Sequence, residues 1–125
     1  MRLFELARVN VPIFRLAAAL SFLAVALGAF GAHVLKGTLQ TNDTTGVWGT
    51  AVLYHFIHAV VLLVLATQPG ASRAISSLFV AGIVLFSGSL YLLALTNVKW
   101  LGAITPLGGL CFLAGWFCLV VWPPR

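Results

Sequence analysis

Four long apolar runs divide this chain, and polar side chains break them only at a few depths. The runs fall near 13–35, 48–66, 74–96 and 101–122. Each is long enough to cross a bilayer, which takes about 20 helical residues. The connections at 36–47, 67–73 and 97–100 are too short to hold a globular domain. A membrane barrel needs at least about eight strands of alternating polarity, and these runs are continuous instead. The pattern predicts an all-α fold: an integral membrane four-helix bundle of antiparallel up-down topology, with residues 1–125 forming a single transmembrane domain.

The first run has one rival reading. Its Arg-containing front and the small residues of Gly28-Ala29-Phe30-Gly31-Ala32 loosely resemble a signal peptide with its cleavage site. The run exceeds the usual apolar core of about 7–15 residues in such peptides, and it carries glycines suited to packing. It is read as a span. Ahead of it, Arg2–Asn10 reads as one or two helical turns at the interface, with Arg2, Glu5 and Arg8 on one face and Pro12 separating the segment from the span.

Composition narrows the class. Hydrophobic residues make up 62% of the chain and charged residues 7%, against roughly 25% charged in a soluble domain. The mean hydropathy is +1.10. The lipid bilayer is therefore the first partner, with a homo-oligomer or a membrane-protein partner as further possibilities for so small a bundle. Arg2, Arg8, Arg15, Arg73 and Arg125 lie on one side of the spans, and Lys36 and Lys99 on the other. The positive-inside rule then puts both termini in the cytoplasm. The formal charge of +5 is accounted for by basic flanks beside anionic headgroups and calls for no nucleic acid. Trp48, Trp100 and Trp122 stand at span ends, as an interfacial aromatic belt requires.

Helices in lipid associate by close backbone approach, since the tails are as apolar as the side chains. Ala17, Ser21, Ala24, Gly28 and Gly31 form one small-residue stripe on span one, and Gly108, Cys111, Gly115 and Cys118 form another on span four. Gly108 and Gly109 read as a packing surface and not as a phosphate loop. Cys111 and Cys118 are about 10 Å apart along one helix, beyond the reach of a disulfide. Pro106 suits the first turn of span four.

Candidate chemistry sits in the remaining polar residues: His33, Tyr54, His55, His58, Ser87, Ser89, Tyr91 and Thr105. Counted from the outer boundary at 1.5 Å per residue, His55, His58, Ser87 and Ser89 lie about 10–15 Å deep, and Thr105 about 6 Å. Polar groups at such depth need a partner or a watery cavity. If they face inward, they line an outward-facing polar pocket for a small ligand, lipid group or proton. If they only bond to one another and to backbone, they lock helix packing.

His55 and His58 stand at i,i+3, a spacing that can place two imidazoles on one metal, with His33 a candidate third ligand. No carboxylate lies nearby, so this is a weak metal signal. Haem would need axial histidines from different helices, and nothing marks a place for its propionates. The expected cofactor complement is none. Catalysis has little to work with: Glu5 and Asp43 are the only acids, both outside the spans, and no acid can orient a histidine. Asn42-Asp43-Thr44 matches a glycosylation sequon, but its commoner use is a polar loop in which Asp43, Thr44 or Thr45 caps span two.

Several short segments taken in order resemble one family. They are Gly28-Ala-Phe-Gly-Ala-His33, Tyr54-His55-Phe-Ile-His58-Ala59, Phe86-Ser-Gly-Ser-Leu-Tyr91, Ile104-Thr-Pro-Leu-Gly-Gly109 and Phe112-Leu-Ala-Gly-Trp116. Together they are similar to the YgdD-like family of small bacterial inner-membrane proteins. The resemblance implies a four-span protein of the bacterial inner membrane and supplies no catalytic role, the family being a domain of unknown function. The sequence expectation is thus a non-enzymatic membrane protein, N-in and C-in. Its polar layer is a ligand pocket, with a packing lock or a histidine-ligated metal or haem site as alternatives.

Overall fold

The computed structural model describes residues 8–125, so most of the predicted interfacial segment Arg2–Asn10 lies outside the described residues. Four helices long and apolar enough to span a membrane are present, and the described residues contain no strand. Helix α1 is Val11–Ala32, α3 is Thr45–Thr67 and α4 is Arg73–Thr96. The fourth span opens with a 3-10 stretch, Lys99–Ala103, and continues as α5, Thr105–Val121. A short helix that the hydropathy pattern does not announce, α2, covers Lys36–Thr41.

Local chemistry explains the boundaries. Asn10 caps α1 by accepting from the Ile13 N–H at 3.2 Å, which satisfies one of the free donors of a helix start. Pro12 then lies inside the first turn of α1. A proline is harmless there because its missing N–H would have no partner in the helix. Pro106 plays the same part at the start of α5. Helix α1 stops at Ala32, three residues before the apolar run does, and the chain turns through His33–Leu35 into α2.

The far end of α4 is closed by side chains rather than by a simple cap. The last carbonyls of a helix have no partner of their own, and Asn97 ends this one in the left-handed region at φ 57°. Thr44 Oγ1 donates to the Ala94 carbonyl at 2.7 Å, and Asn42 Nδ2 donates to Ala94 and Leu95 at 3.0 and 3.2 Å. Thr44 occupies the cap position of α3 without bonding the α3 backbone through its side chain. The expected capping role is corrected: its hydroxyl serves the neighbouring helix instead.

Helix α3 holds the centre, with the most buried residues of any span, while α1 and α5 are the most lipid-exposed. α1 packs chiefly on α3, and α5 on α4. Ala17, Ala24 and Gly31 of the α1 stripe are buried against it. A Cβ on Gly31 would overlap the Trp48 ring, whereas one on Gly28 would make ordinary contact with Val52 at 3.4 Å. On α5, a Cβ on Gly108 would collide with the backbone of Phe86, and one on Gly115 would press the Phe79 ring at 2.7 Å. Gly109 has room, its nearest neighbour being the Phe86 ring at 3.8 Å.

Helix α4 contains a π-helical turn at Ile83–Ser87, closed by the Gly88 N–H on the Ile83 carbonyl. The wider turn rotates the second half of the helix relative to the first. Before the turn, Phe79 and Gly82 pack on α5. From its last residue onward, Ser87 and Tyr91, four residues apart, both address α3.

Candidate functional site

His58 is the best-defined member of the polar layer. It is 4% exposed, and both ring nitrogens are engaged. Nδ1 lies 2.7 Å from the Tyr54 carbonyl, and Trp116 Nε1 lies 3.1 Å from Nε2. A carbonyl can only accept and an indole N–H can only donate. The proton therefore sits on Nδ1, and Nε2 accepts from Trp116. The imidazole is neutral and its only lone pair is occupied. Phe112 stacks on it with ring centroids 3.6 Å apart and planes at 10°, and Phe79 and Trp116 close the sides.

His55, one turn away and 2% exposed, turns to other helices. Its Nδ1 is 2.8 Å from the Tyr91 hydroxyl. The backbone of Leu20 in α1 lies beside the ring, yet no hydrogen bond to Nε2 is completed. Nε2 is the one buried side-chain nitrogen or oxygen without a partner among the described residues. The arrangement that leaves fewest groups unmet has Tyr91 donating to Nδ1 and the Nε2–H facing α1.

The hydroxyls complete the layer. Ser87, fully buried, donates to the Ala51 carbonyl at 2.8 Å. Ser89 points the other way: its O–H bonds the Phe86 carbonyl at 3.0 Å, and its oxygen is 2.7 Å from Thr105 Oγ1. Since Ser89 has spent its only hydrogen, Thr105 is the donor of that pair. Two residues apart on a helix, Ser87 and Ser89 face nearly opposite sides and cannot share one wall.

Two expected members stand apart. His33 is exposed at the end of α1, its backbone N–H returning to Ala29 and Phe30. Tyr54 is 41% exposed, and its ring leans on Phe86 at 4.6 Å. None of the eight residues lines either of two surface grooves, which occupy about 620 and 740 Å³ elsewhere on the bundle. The three histidines do not gather: among the described residues no group of three side chains is placed to share a metal ion.

Sequence reading misses two partners. Trp116 carries no signal of its own in the chain, and its role depends on α5 placing it against His58. Trp48 fits an interfacial belt by position, but it is 4% exposed and donates to the Leu27 carbonyl at 2.9 Å. A buried indole must bond its N–H, and the small residues of α1 admit the ring. Trp100 and Trp122 are exposed, at 67% and 66%.

Taken together, the polar groups form a ladder of bonds between helices within a four-span membrane protein. Trp48 ties α3 to α1, His55 and Ser87 tie α3 to α4, His58 ties α3 to α5, and Ser89 ties α4 to the start of α5.

Residues 27–109 match the family described as "Protein of unknown function (DUF423)", and the chain belongs to that family. It is 49% identical over 107 residues to the UPF0382 membrane protein YwdK of Bacillus subtilis, covering 81% of this chain and 86% of the relative. It is 44% identical over 110 residues to the UPF0382 inner membrane protein YgdD of Escherichia coli K12, covering 84% and 83%. The UPF0382 membrane protein SH2409 of Staphylococcus haemolyticus is 43% identical over 110 residues, covering 85% and 89%. The expected kinship with the YgdD-like proteins is thereby established. No solved structure matches the chain.

Proposed function

We propose that this protein is a non-enzymatic structural or assembly component of the bacterial inner membrane, a single transmembrane domain whose polar layer locks four helices into one rigid bundle. The spans run up and down in antiparallel order, with both termini cytoplasmic. The lipid bilayer is its environment, and its broad apolar exterior is available to a second copy or to a membrane-protein partner. One observation carries the reading: almost every polar side-chain atom of the buried layer is spent on a bond to backbone or to another helix, and the one member that lines a groove, Trp48, has its N–H already bonded. Interhelical bonds of this kind contribute about 0.6 kcal/mol on average and up to about 1.7 each. Several together fix helix rotation and register.

A second reading rests on the free Nε2 of His55. A buried N–H without a partner is a place where a water or another acceptor could be held, and histidine is the side chain that can pass such a proton on. In this reading His55 and Tyr91 form a small ligand- or proton-binding point, and Ser87 supports it by tying the same two helices together.

The deciding experiment is the metal and cofactor content of detergent-purified protein, by mass spectrometry and visible absorption, beside a His55→Ala, His58→Ala double variant. The locking reading expects a colourless wild type without stoichiometric metal, and a variant that melts at lower temperature with nothing else changed. Stoichiometric metal or a Soret band that vanishes in the variant would replace it with a metal or haem assignment.

A further inference from the structure

The groove of about 620 Å³ lies between the start of α1 and the start of α4, far from the histidine layer. Asn10, Arg73, Ser76 and Ser77 stand at its polar end, and Leu16 and Val80 are among its apolar walls. Three of these four polar residues have an N–H or O–H to offer. Asn10 uses its side-chain oxygen to cap α1, and its amide N–H groups have no partner among the described residues. The Arg73 guanidinium has neither an ion pair nor a hydrogen bond among the described residues. Ser77 spends its hydrogen on the Arg73 carbonyl at 2.8 Å.

Ser76 is the decisive residue. It is 5% exposed, it lines the groove, and its hydroxyl bonds to no other described residue. The hydroxyls of its neighbours, Ser72 at the cap of α4 and Ser77 within it, are both engaged. The described charged side chains of this end have one sign. Arg8, Arg15, Arg73 and Arg125 are its described charged side chains, since Asp43 belongs to the connection before α3 at the opposite end.

We propose that this groove binds one anionic phospholipid. The headgroup phosphate meets Arg73, Ser76 and the Asn10 amide, and an acyl chain lies along Leu16 and Val80. Donors at the rim and apolar walls below suit a molecule with an anion at one end and hydrocarbon at the other. A free phosphate would leave the apolar walls unfilled, and a zwitterionic lipid would bring a second cation to a site that already has one. Basic pockets between helices near the membrane surface recognise anionic headgroups on this physical basis.

The test is native mass spectrometry of the full-length protein after reconstitution in bilayers of equimolar phosphatidylglycerol and phosphatidylethanolamine. One phosphatidylglycerol should be retained per chain in preference to phosphatidylethanolamine. Arg73→Gln should lower that preference about five-fold, the scale of one basic side chain against an anionic surface. Ala81→Phe, which fills the groove without touching charge, should abolish retention. Arg125→Gln, at the same end but outside the groove, should leave it unchanged. Circular dichroism of each variant keeps a folding failure apart from a binding loss. The proposal is overturned by equal retention of the two lipids, an unaltered preference in Arg73→Gln, retention that survives Ala81→Phe, or an equal fall in Arg125→Gln. Displacement of the lipid by millimolar inorganic phosphate would also overturn it, showing a phosphate site in its place.

Discussion

His58 shows how a histidine in a membrane can be inert as a ligand and strong as a fastener. Its tautomer is dictated by an acceptor-only carbonyl on one nitrogen and a donor-only indole on the other. The pair can be tested as a pair. His58→Ala and Trp116→Phe should each lower unfolding stability in detergent. A double-mutant cycle should give a coupling of about 0.6–1.7 kcal/mol, the range for interhelical bonds in lipid. Effects that add to within about 0.3–0.5 kcal/mol would mean the two side chains do not interact. The histidines are legible in the sequence as buried polar groups that need partners. Which partner each has is not, because Trp116 is 58 residues from His58 and only packing brings them together.

Between elements, contact is set by what is missing from the side chains. Gly108 lets the backbone of α4 at Phe86 touch α5, and Gly109, one residue on, leaves room for a Cβ at ordinary contact distance from the Phe86 ring. Gly108→Ala should therefore destabilise the bundle by about 1–3 kcal/mol, the cost of overpacking a filled site, while Gly109→Ala stays close to wild type. Thermal unfolding of the two variants side by side decides it; equal effects would refute the close approach. The small-residue stripes are readable from spacing, but the grading within them is not, since it depends on which ring or backbone lies opposite. The closure of α4 makes a second case. Thr44→Val together with Asn42→Ala strips the Ala94 carbonyl of both side-chain donors, and the loss should be about 1–3 kcal/mol, as for a buried acceptor left unmet. Faster hydrogen exchange at the end of α4 would report it locally.

For the whole molecule, the outer surface belongs to lipid. Phe22, Val120 and Trp122 are 78%, 80% and 66% exposed, as expected where solvent is hydrocarbon and apolar groups need no cover. The orientation of the bundle rests on charge. A cytoplasm-active reporter fused after Arg125 should be active, and its periplasm-active counterpart silent. The opposite result would invert the assignment of both termini and show that Arg2, Arg8, Arg15, Arg73 and Arg125 do not direct insertion. The anionic-lipid groove survives either outcome, since it depends on which residues share one end and not on which side that end faces.

The sequence alone determined the class: four apolar runs of membrane length, their short connections, the bias of arginine to one side and the family kinship. Those follow from local composition, because lipid forces each run to satisfy its own backbone as a helix. Tertiary structure decided everything that depends on rotation about the helix axes. It turned Trp48 inward against α1 and set Ser87 and Ser89 toward different helices around the π turn. It also left His33 outside the layer and set Ser76 in the wall of a groove. Depth in the membrane is counted along one chain. The direction a side chain faces depends on how neighbouring helices pack, and no single stretch of sequence contains that.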